Sequence, residues 1–290
     1  MLTFFRVLSW FSLPWLHRIG AGLGALVYLS SGTYRRHVCA NLRQAMGDEG
    51  EKLAFRVAIE SGKQMAEIAR VWLSPLEEVL ASVRDVRGGE LVQAAREAGN
   101  GLVFLTPHLG CFEIVSLYLS QTAPISILYR KPKMQSLQKL LETGRARGGQ
   151  KLAPADLSGV RTLIKALRNN EAVGLLPDQA PKTGEGVWLD FFGKPAYTMT
   201  LAARLSETKA TTLLTWGERL PNGEGYRIHF HPLSERLSGD TLTRAGQINT
   251  QVEQLILSFP TQYLWGYNRY KHPAGADLPP VVAGSAGSVQ

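Results

Sequence analysis

The chain has 290 residues, enough for one large or two small domains and for a core that needs no disulfide staples. Its two cysteines, Cys39 and Cys111, exclude a disulfide scaffold and a multi-cysteine zinc site. Charged residues at 19% and hydrophobic residues at 44% exclude a disordered chain, and 32 Lys and Arg against 24 Asp and Glu leave a formal net charge of +8. That excess suits an anionic partner: a phosphorylated substrate, an acidic carrier protein, a membrane surface or nucleic acid.

The N-terminal segment, residues 1–34, is the most biased in composition. After Arg6 comes an apolar run to Leu16, then His17-Arg18, then sixteen uncharged residues from Ile19 to Tyr34. Neither half reaches the ~20 apolar residues of a spanning helix. Joined, they would place Arg18 near mid-membrane, where a charge costs roughly 2.5–3.5 kcal/mol, and Pro14 adds a kink point. The split apolar region argues against a cleaved signal peptide. A single span, an interface helix or re-entrant hairpin, and a buried core helix remain as readings. Trp10, Trp15 and Tyr28 with Arg35, Arg36 and Arg43 just beyond favour the interfacial one, with the rest of the chain on the cytoplasmic side.

Apolar spacing at Leu53, Val57, Met65, Ile68 and Trp72 predicts a long amphipathic helix over 48–73. Short apolar runs at 101–105, 125–129, 172–176 and 212–216 then predict buried strands. Amphipathic helices are predicted between and after them, at 134–143 (Met134, Leu137, Leu140, Leu141), 158–168 (Val160, Leu163, Ile164, Leu167) and 241–258. The pattern is that of an α/β fold, a single mainly parallel sheet flanked by helices. Alternation at 226–231 predicts a strand with one wet face, forming a hairpin with 212–219 at the sheet edge. The expected organisation is a membrane-associating segment (1–34), one α/β domain (35–274) and a disordered tail (275–290).

Functional groups in open α/β sheets collect past the carboxyl ends of strands. The strand at 101–105 runs into Thr106-Pro107-His108-Leu109-Gly110-Cys111-Phe112-Glu113, and that at 172–176 into Pro177-Asp178-Gln179. A histidine oriented by a carboxylate is a general base, and a helix N-terminus offers N–H groups to a developing anion. Histidine capping a turn beside a solvated glutamate is the plain alternative.

The segment His108–Glu113 resembles the H-x4-E signature of the late acyltransferases of lipid A biosynthesis, within the H-x4-D/E glycerolipid acyltransferase superfamily. Tyr34-Arg35-Arg36-His37 with Asn41-Leu42 is similar to that family's basic stretch after the first helix. Pro177-Asp178-Gln179, Gly186-Val187 and the run Phe191 to Thr198 resemble its Asp turn and Phe-Phe-Gly segment, and Gln262 to Lys271 its C-terminal aromatic and basic block. Cys111-Phe112 departs from the family's usual Asn-Trp. The resemblance implies a fold like that of glycerol-3-phosphate acyltransferase. It also implies transfer of a fatty acyl group from an acyl carrier protein thioester to a hydroxyl on a hydroxyacyl chain of a phosphorylated glucosamine disaccharide, the Kdo-bearing lipid A precursor, at the cytoplasmic face of the inner membrane. It assigns His108, Glu113 and Arg145 to catalysis and Asp178 to the site, with no cofactor and no metal. Glu113 is expected to orient His108. Glu113 as base with Arg145 as partner is the other pairing, and Arg145 or amides near Gly110 are the candidate oxyanion donors.

Other residues carry two readings each. Arg130, Lys131 and Lys133 either meet substrate phosphates or the acidic carrier, or form a solvated basic turn. Asp178 orients an arginine or a sugar, or forms a turn after Pro177. Phe191, Phe192 and Tyr197 line an acyl pocket or fill the core. Arg269 and Lys271 bind phosphate, and Trp265 sits at the membrane interface, or all three serve surface and packing. His229 and His231 lack a third metal ligand. Cys111 and Cys39 read as packing residues rather than acyl carriers. Competing functions are acylation of another glycolipid such as phosphatidylinositol mannoside, and a non-catalytic membrane-surface protein. Nucleic-acid binding has only the basic pI behind it.

Overall fold

The computed structural model describes residues 2–132 and 135–280; Lys133, Met134 and residues 281–290 lie outside the described residues. In chain order the elements begin with α1 (Leu2–Ser9), α2 (Leu13–Ser30), α3 (Gly32–Glu51), α4 (Ala54–Leu73), α5 (Leu76–Leu80), β1 (Val83–Arg87), α6 (Gly89–Glu97), β2 (Leu102–Leu105), α7 (Phe112–Leu119) and β3 (Ile125–Tyr129). They continue with α8 (Gln135–Arg145), β4 (Lys151–Pro154), α9 (Leu157–Arg168), β5 (Ala172–Leu175), β6 (Gly186–Phe191), β7 (Lys194–Met199), α10 (Leu201–Ser206), β8 (Thr211–Arg219), β9 (Tyr226–Pro232) and α11 (Thr241–Ser258).

Seven strands form one sheet in the order β1-β9-β8-β2-β5-β3-β4. Every pairing is parallel except β8 with β9. Buried parallel strands need apolar side chains on both faces, and β2 and β5 are buried at every residue. Alternate residues of β2 serve two cores. Val103 and Leu105 pack with α9, α10 and α11, whereas Leu102 and Phe104 pack with α6, α7 and α8.

Three expectations are corrected by the sheet and its flanking helices. β9 is not at the edge, because β1 pairs with its far side. β1 escapes the apolar test because it is an edge strand with charges, a pattern that guards against edge pairing; its Asp85 carboxylate accepts from Arg227 Nε at 2.8 Å and Arg87 Nε at 2.7 Å. The helix expected over 48–73 begins only at Ala54, since Gly47 leaves helical geometry at φ +66° and the chain turns at Lys52-Leu53. On α9 the apolar face divides: Leu163 and Leu167 are buried, but Ile164 is 37% exposed.

β6 and β7 form a separate antiparallel hairpin that the apolar-run test does not find. Phe191 pairs with Lys194 across a two-residue turn in which Phe192 (φ +50°) and Gly193 (φ +68°) are both left-handed. That is the turn geometry that matches strand twist. From the expected tail, residues 275–280 are described, and Trp188 Nε1 donates to the Asp277 carbonyl at 2.8 Å.

α2 lies along α4 with its backbone almost in contact. A Cβ on Gly62 would stand 2.0 Å from the Gly20 carbonyl oxygen, and one on Gly24 2.1 Å from that of Ala58. The outer face of the N-terminal helices is apolar instead of polar: Trp10, Trp15, Leu23, Leu26 and Leu29 are exposed. α2 is thus a core helix on one side only. Among the described residues no helix is long and apolar enough to cross a membrane.

A buried charge cluster fastens the same helices to the sheet. Glu67 of α4 accepts from Arg219 Nη2 at 2.7 Å and Nε at 2.9 Å, and from the Tyr226 hydroxyl at 3.2 Å, while His17 Nε2 of α2 lies 3.0 Å away. Arg219 Nη1 also donates to Glu60 at 3.0 Å. Burial raises the Glu67 carboxyl pKa, but the Arg219 charge and the His17 and Arg219 hydrogen bonds outweigh it and bring it to about 2.

Gly62→Ala should lower stability by about 1–3 kcal/mol through overpacking, whereas Gly22→Ala, with nothing within 4 Å of the added Cβ, should be neutral or stabilising; urea titrations compare them. Because the folded pKa of Glu67 is depressed, its stabilisation is present above about pH 4.5 and is lost as pH falls toward 2. Glu67→Gln should flatten that acid limb in denaturation measured across this range, and should cost about 3–5 kcal/mol at neutral pH by breaking the buried fork on Arg219, which keeps its contact with Glu60.

Candidate active site

β2 and β5 are parallel neighbours with Leu105 opposite Leu175, so the loops leaving their carboxyl ends are adjacent. The Thr106 amide extends the pairing to the Leu175 carbonyl at 3.0 Å. Just beyond, the His108 amide donates to Asp178 Oδ2 at 3.0 Å and His108 Nδ1 lies 2.9 Å from Asp178 Oδ1. Asp178 is buried. Burial raises its carboxyl pKa, but the neighbouring His108 charge and the two His108 hydrogen bonds outweigh it and hold the group below the usual carboxylate range. An ionised carboxylate only accepts, so Nδ1 carries the shared proton and Nε2 keeps a lone pair in the neutral ring. The His108 side chain is 16% exposed and meets the Phe112 ring edge-on at 4.9 Å.

Glu113 does not orient His108, contrary to expectation. A loop residue and a residue in the first turn of α7 do not share a face. Glu113 Oε2 accepts from Trp72 Nε1 at 3.2 Å and Arg145 Nε at 2.9 Å, and Oε1 accepts from Arg145 Nη2. Burial lowers the Arg145 pKa, but the Glu113 charge more than restores it, so the guanidinium stays ionised. Gly144 makes the packing feasible, since a Cβ there would stand 2.5 Å from Trp72 Cγ. A slot of about 30 Å³ beside this pair is lined by Phe104, Leu119 and Ile127 among others.

The loop from His108 to Cys111 is braced by backbone. Gly110 sits at φ +58° and any Cβ would meet the Gly217 carbonyl oxygen at 2.1 Å. The Gly110 amide donates to the Gln262 carbonyl at 3.0 Å, and the Cys111 amide to the Gly217 carbonyl at 2.7 Å. Gln64 Nε2 donates to the Gly110 carbonyl at 3.1 Å. The amides near Gly110, expected as oxyanion donors, are therefore already engaged. Burial, then the Glu67 charge, push the buried Cys111 thiol pKa well up, which suits a packing residue.

The remaining candidates separate. Arg130 leaves β3 beside the Asp178 turn and donates to the Ala180 carbonyl at 3.4 Å; Lys131 is exposed next to it. Phe191 and Phe192 do not line the slot beside Glu113 and Arg145. Phe191 is buried at the end of β6, and half-buried Phe192 packs on it at 4.9 Å and on Trp265. Arg269 is buried and donates to the Tyr197 carbonyl and the Thr198 hydroxyl, both at 2.8 Å, so it clamps β7 rather than meeting a phosphate from solvent. Trp265 is buried with its Nε1 on the Pro260 carbonyl, away from any interface. Lys271 lies 5.1 Å over the Tyr267 ring. His229 stacks on Trp216 at 4.3 Å and pairs with Glu218 at 2.8 Å. Among the described residues no three His, Cys, Asp or Glu side chains converge as metal ligands. Sequence reasoning gave no site role to Trp72, named only for its apolar helix face, to Gln262, named only as the start of the C-terminal block, or to Gln64, which carries no local signal.

The family model for bacterial lipid A biosynthesis acyltransferases matches residues 1–272. The lipid A biosynthesis lauroyltransferase of Escherichia coli is 24% identical over 265 residues, 89% of this chain and 86% of that protein. The lipid A biosynthesis palmitoleoyltransferase of Escherichia coli is 25% identical over 263 residues, 89% and 84% of the two chains. A phosphatidylinositol mannoside acyltransferase of Mycobacterium tuberculosis is 29% identical over 189 residues, 62% and 58% of the two chains. With the His-x4-Glu segment, the Asp turn and the match over nearly the whole chain, this protein belongs to the bacterial lipid A biosynthesis acyltransferase family and is an acyltransferase of that type.

Proposed function

We propose that the chain moves a fatty acyl group from acyl carrier protein thioester to a hydroxyl of a hydroxyacyl chain on the Kdo-bearing lipid A precursor, with His108 as general base. The pairing of His108 Nδ1 with buried Asp178 carries this reading. A secondary alcohol is a weak nucleophile at neutral pH, so a base must take its proton during attack. His108 Nε2 takes the proton as the alcohol oxygen adds to the thioester carbonyl. The C–S bond then breaks, and the imidazolium returns the proton to the leaving thiolate. Asp178 fixes the tautomer and steadies the imidazolium.

Glu113 acts through Arg145 in this scheme. Its oxygens already accept from Arg145 and Trp72, which leaves it poorly placed to take a substrate proton. A guanidinium has five donors and the Glu113 fork uses two of them, so Arg145 retains N–H groups for the carbonyl oxygen as it becomes an oxyanion. Arg130 and Lys131 lie at the same sheet edge and suit the acidic carrier or the acceptor phosphates. The exposed Trp10, Trp15, Leu23 and Leu26 face suits the bilayer interface, which would bring a lipid acceptor to the cytoplasmic face of the inner membrane. The lipid A names of the full-length relatives support this acceptor.

The test mixes purified protein in mild detergent with the tetra-acylated Kdo-bearing precursor and acyl carrier protein thioesters of several chain lengths, and reads the lipid by mass spectrometry. A single added acyl mass is expected. His108→Ala should cut turnover at least ~100-fold, and Asp178→Asn at least ~10-fold through loss of the fixed tautomer. Near-normal turnover in His108→Ala would overturn the base assignment, and transfer only to phosphatidylinositol mannoside would move the acceptor. Replacing Trp10, Phe11 and Trp15 together by Glu should release the folded protein from anionic vesicles in a flotation assay; undiminished flotation would place the anchor elsewhere.

A further inference from the structure

A groove of about 810 Å³ opens on the sheet face opposite α7, between α9 and α10. Leu157, Val160 and Ile164 line it from α9, and Leu201 and Leu205 from α10. Leu157 is 77% exposed and Ile164 37%. Apolar side chains held out along one wall of a cavity this size mark a ligand site, whose usual range is about 300–1,000 Å³.

Four cations stand on its walls: Arg130, Arg168, Arg204 and Lys209. Two carboxylates are also there, but both have partners. Asp156 Oδ1 accepts from the Ser158 and Gly159 amides at the start of α9, and Glu185 Oε2 from the Lys182 amide at 3.3 Å. Among the described residues no carboxylate is paired with any of the four cations. The complementary ligand is an amphiphile with an apolar chain and anionic groups. Arg130 ties the groove to the reaction centre, since it donates to the Ala180 carbonyl, two residues beyond Asp178. His108, Glu113 and Arg145 do not line it. The groove therefore lies apart from the His108–Asp178 and Glu113–Arg145 pairs.

We infer that this groove binds an acyl chain of the acceptor lipid that takes no part in the transfer, while Arg130, Arg168, Arg204 and Lys209 meet the acceptor's phosphates. The inference rests on the lipid-acceptor reading above and adds where the acceptor is held. An acidic carrier helix would use the cations but leave the apolar wall uncovered.

The test uses the full chain in detergent, with Ile164→Trp to fill the groove, Leu157→Asp to charge its exposed wall and Arg204→Glu to reverse its rim. Calorimetry measures binding of a bisphosphorylated tetra-acylated glucosamine disaccharide and of the same disaccharide stripped of its chains. Ile164→Trp and Leu157→Asp should weaken the acylated probe by ~10-fold or more and leave the stripped one unchanged. Arg204→Glu should weaken both. The KM for the acyl carrier protein thioester should stay at the wild-type value in all three.

Wild-type affinity for the acylated probe in the two groove variants would overturn the inference, whether or not the enzyme turns over. Altered donor chain-length selectivity in Ile164→Trp would overturn it by assigning the groove to the donor chain. Weakened carrier protein binding alone, in Arg204→Glu, would overturn it by making the rim a protein-docking surface. Tight, groove-dependent binding of the acylated probe by a chain that transfers nothing to it would instead uphold the site and overturn the proposed function.

Discussion

The closest backbone approach at the site is that of Gly110 to Gly217, and the loop that carries His108 depends on it. Both residues are glycine where a side chain would collide with a carbonyl 2.1 Å or 2.5 Å away. Through that contact the Cys111 amide reaches the β8 backbone, and Gln262 and Gln64 take the remaining polar groups of Gly110. The loop is therefore held from three directions, by β8, α4 and the C-terminal block. His108 leaves this braced loop, and its amide and ring both meet Asp178. Precise placement of a proton acceptor on packed elements is what general-base chemistry requires.

Among the described residues three carboxylates are buried, and in each the desolvation cost is offset by forked or multiple hydrogen bonds. Asp178 has the ring and amide of one histidine, Glu113 has Arg145 and Trp72, and Glu67 has Arg219, Tyr226 and His17. Buried ion pairs contribute little net stability, yet removing one partner is costly. They therefore fix geometry more than they add stability. The Glu67 cluster joins α2, α4, β8 and β9, which ties the apolar outer face of the N-terminal helices to the strand that braces the His108 loop.

The two faces of the sheet then divide the work. The α7 and α8 face carries the Glu113–Arg145 pair and a narrow slot, whereas the α9 and α10 face carries the wide groove with its four cations. The Asp178 turn lies between them, at the carboxyl end of a central strand. His108 and Asp178 thus stand at the strand ends where the two faces meet.

Patterns that are local in sequence were sufficient for much of this. The apolar runs of β2, β3, β5 and β8, the periodicity of α9 and α11, and the turns holding His108 and Asp178 follow from side-chain alternation and strand-end chemistry, both readable within a few residues. β1, with its charges, and the β6–β7 hairpin, with its left-handed Phe192, broke those local patterns and were missed. Which polar groups pair is a different kind of question. His108 has Glu113 five residues away but bonds to Asp178, seventy residues on, and Glu113 finds Trp72 and Arg145 on two other helices. Likewise Arg269 and Phe191 looked available for substrate, yet packing buried both. The sequence by itself determined the buried strands, the amphipathic helices between them and the residue types at the strand ends, because these depend on neighbours along the chain. Only the tertiary structure decided the partners, because those depend on strand order and on the close approach of segments that the sequence keeps far apart.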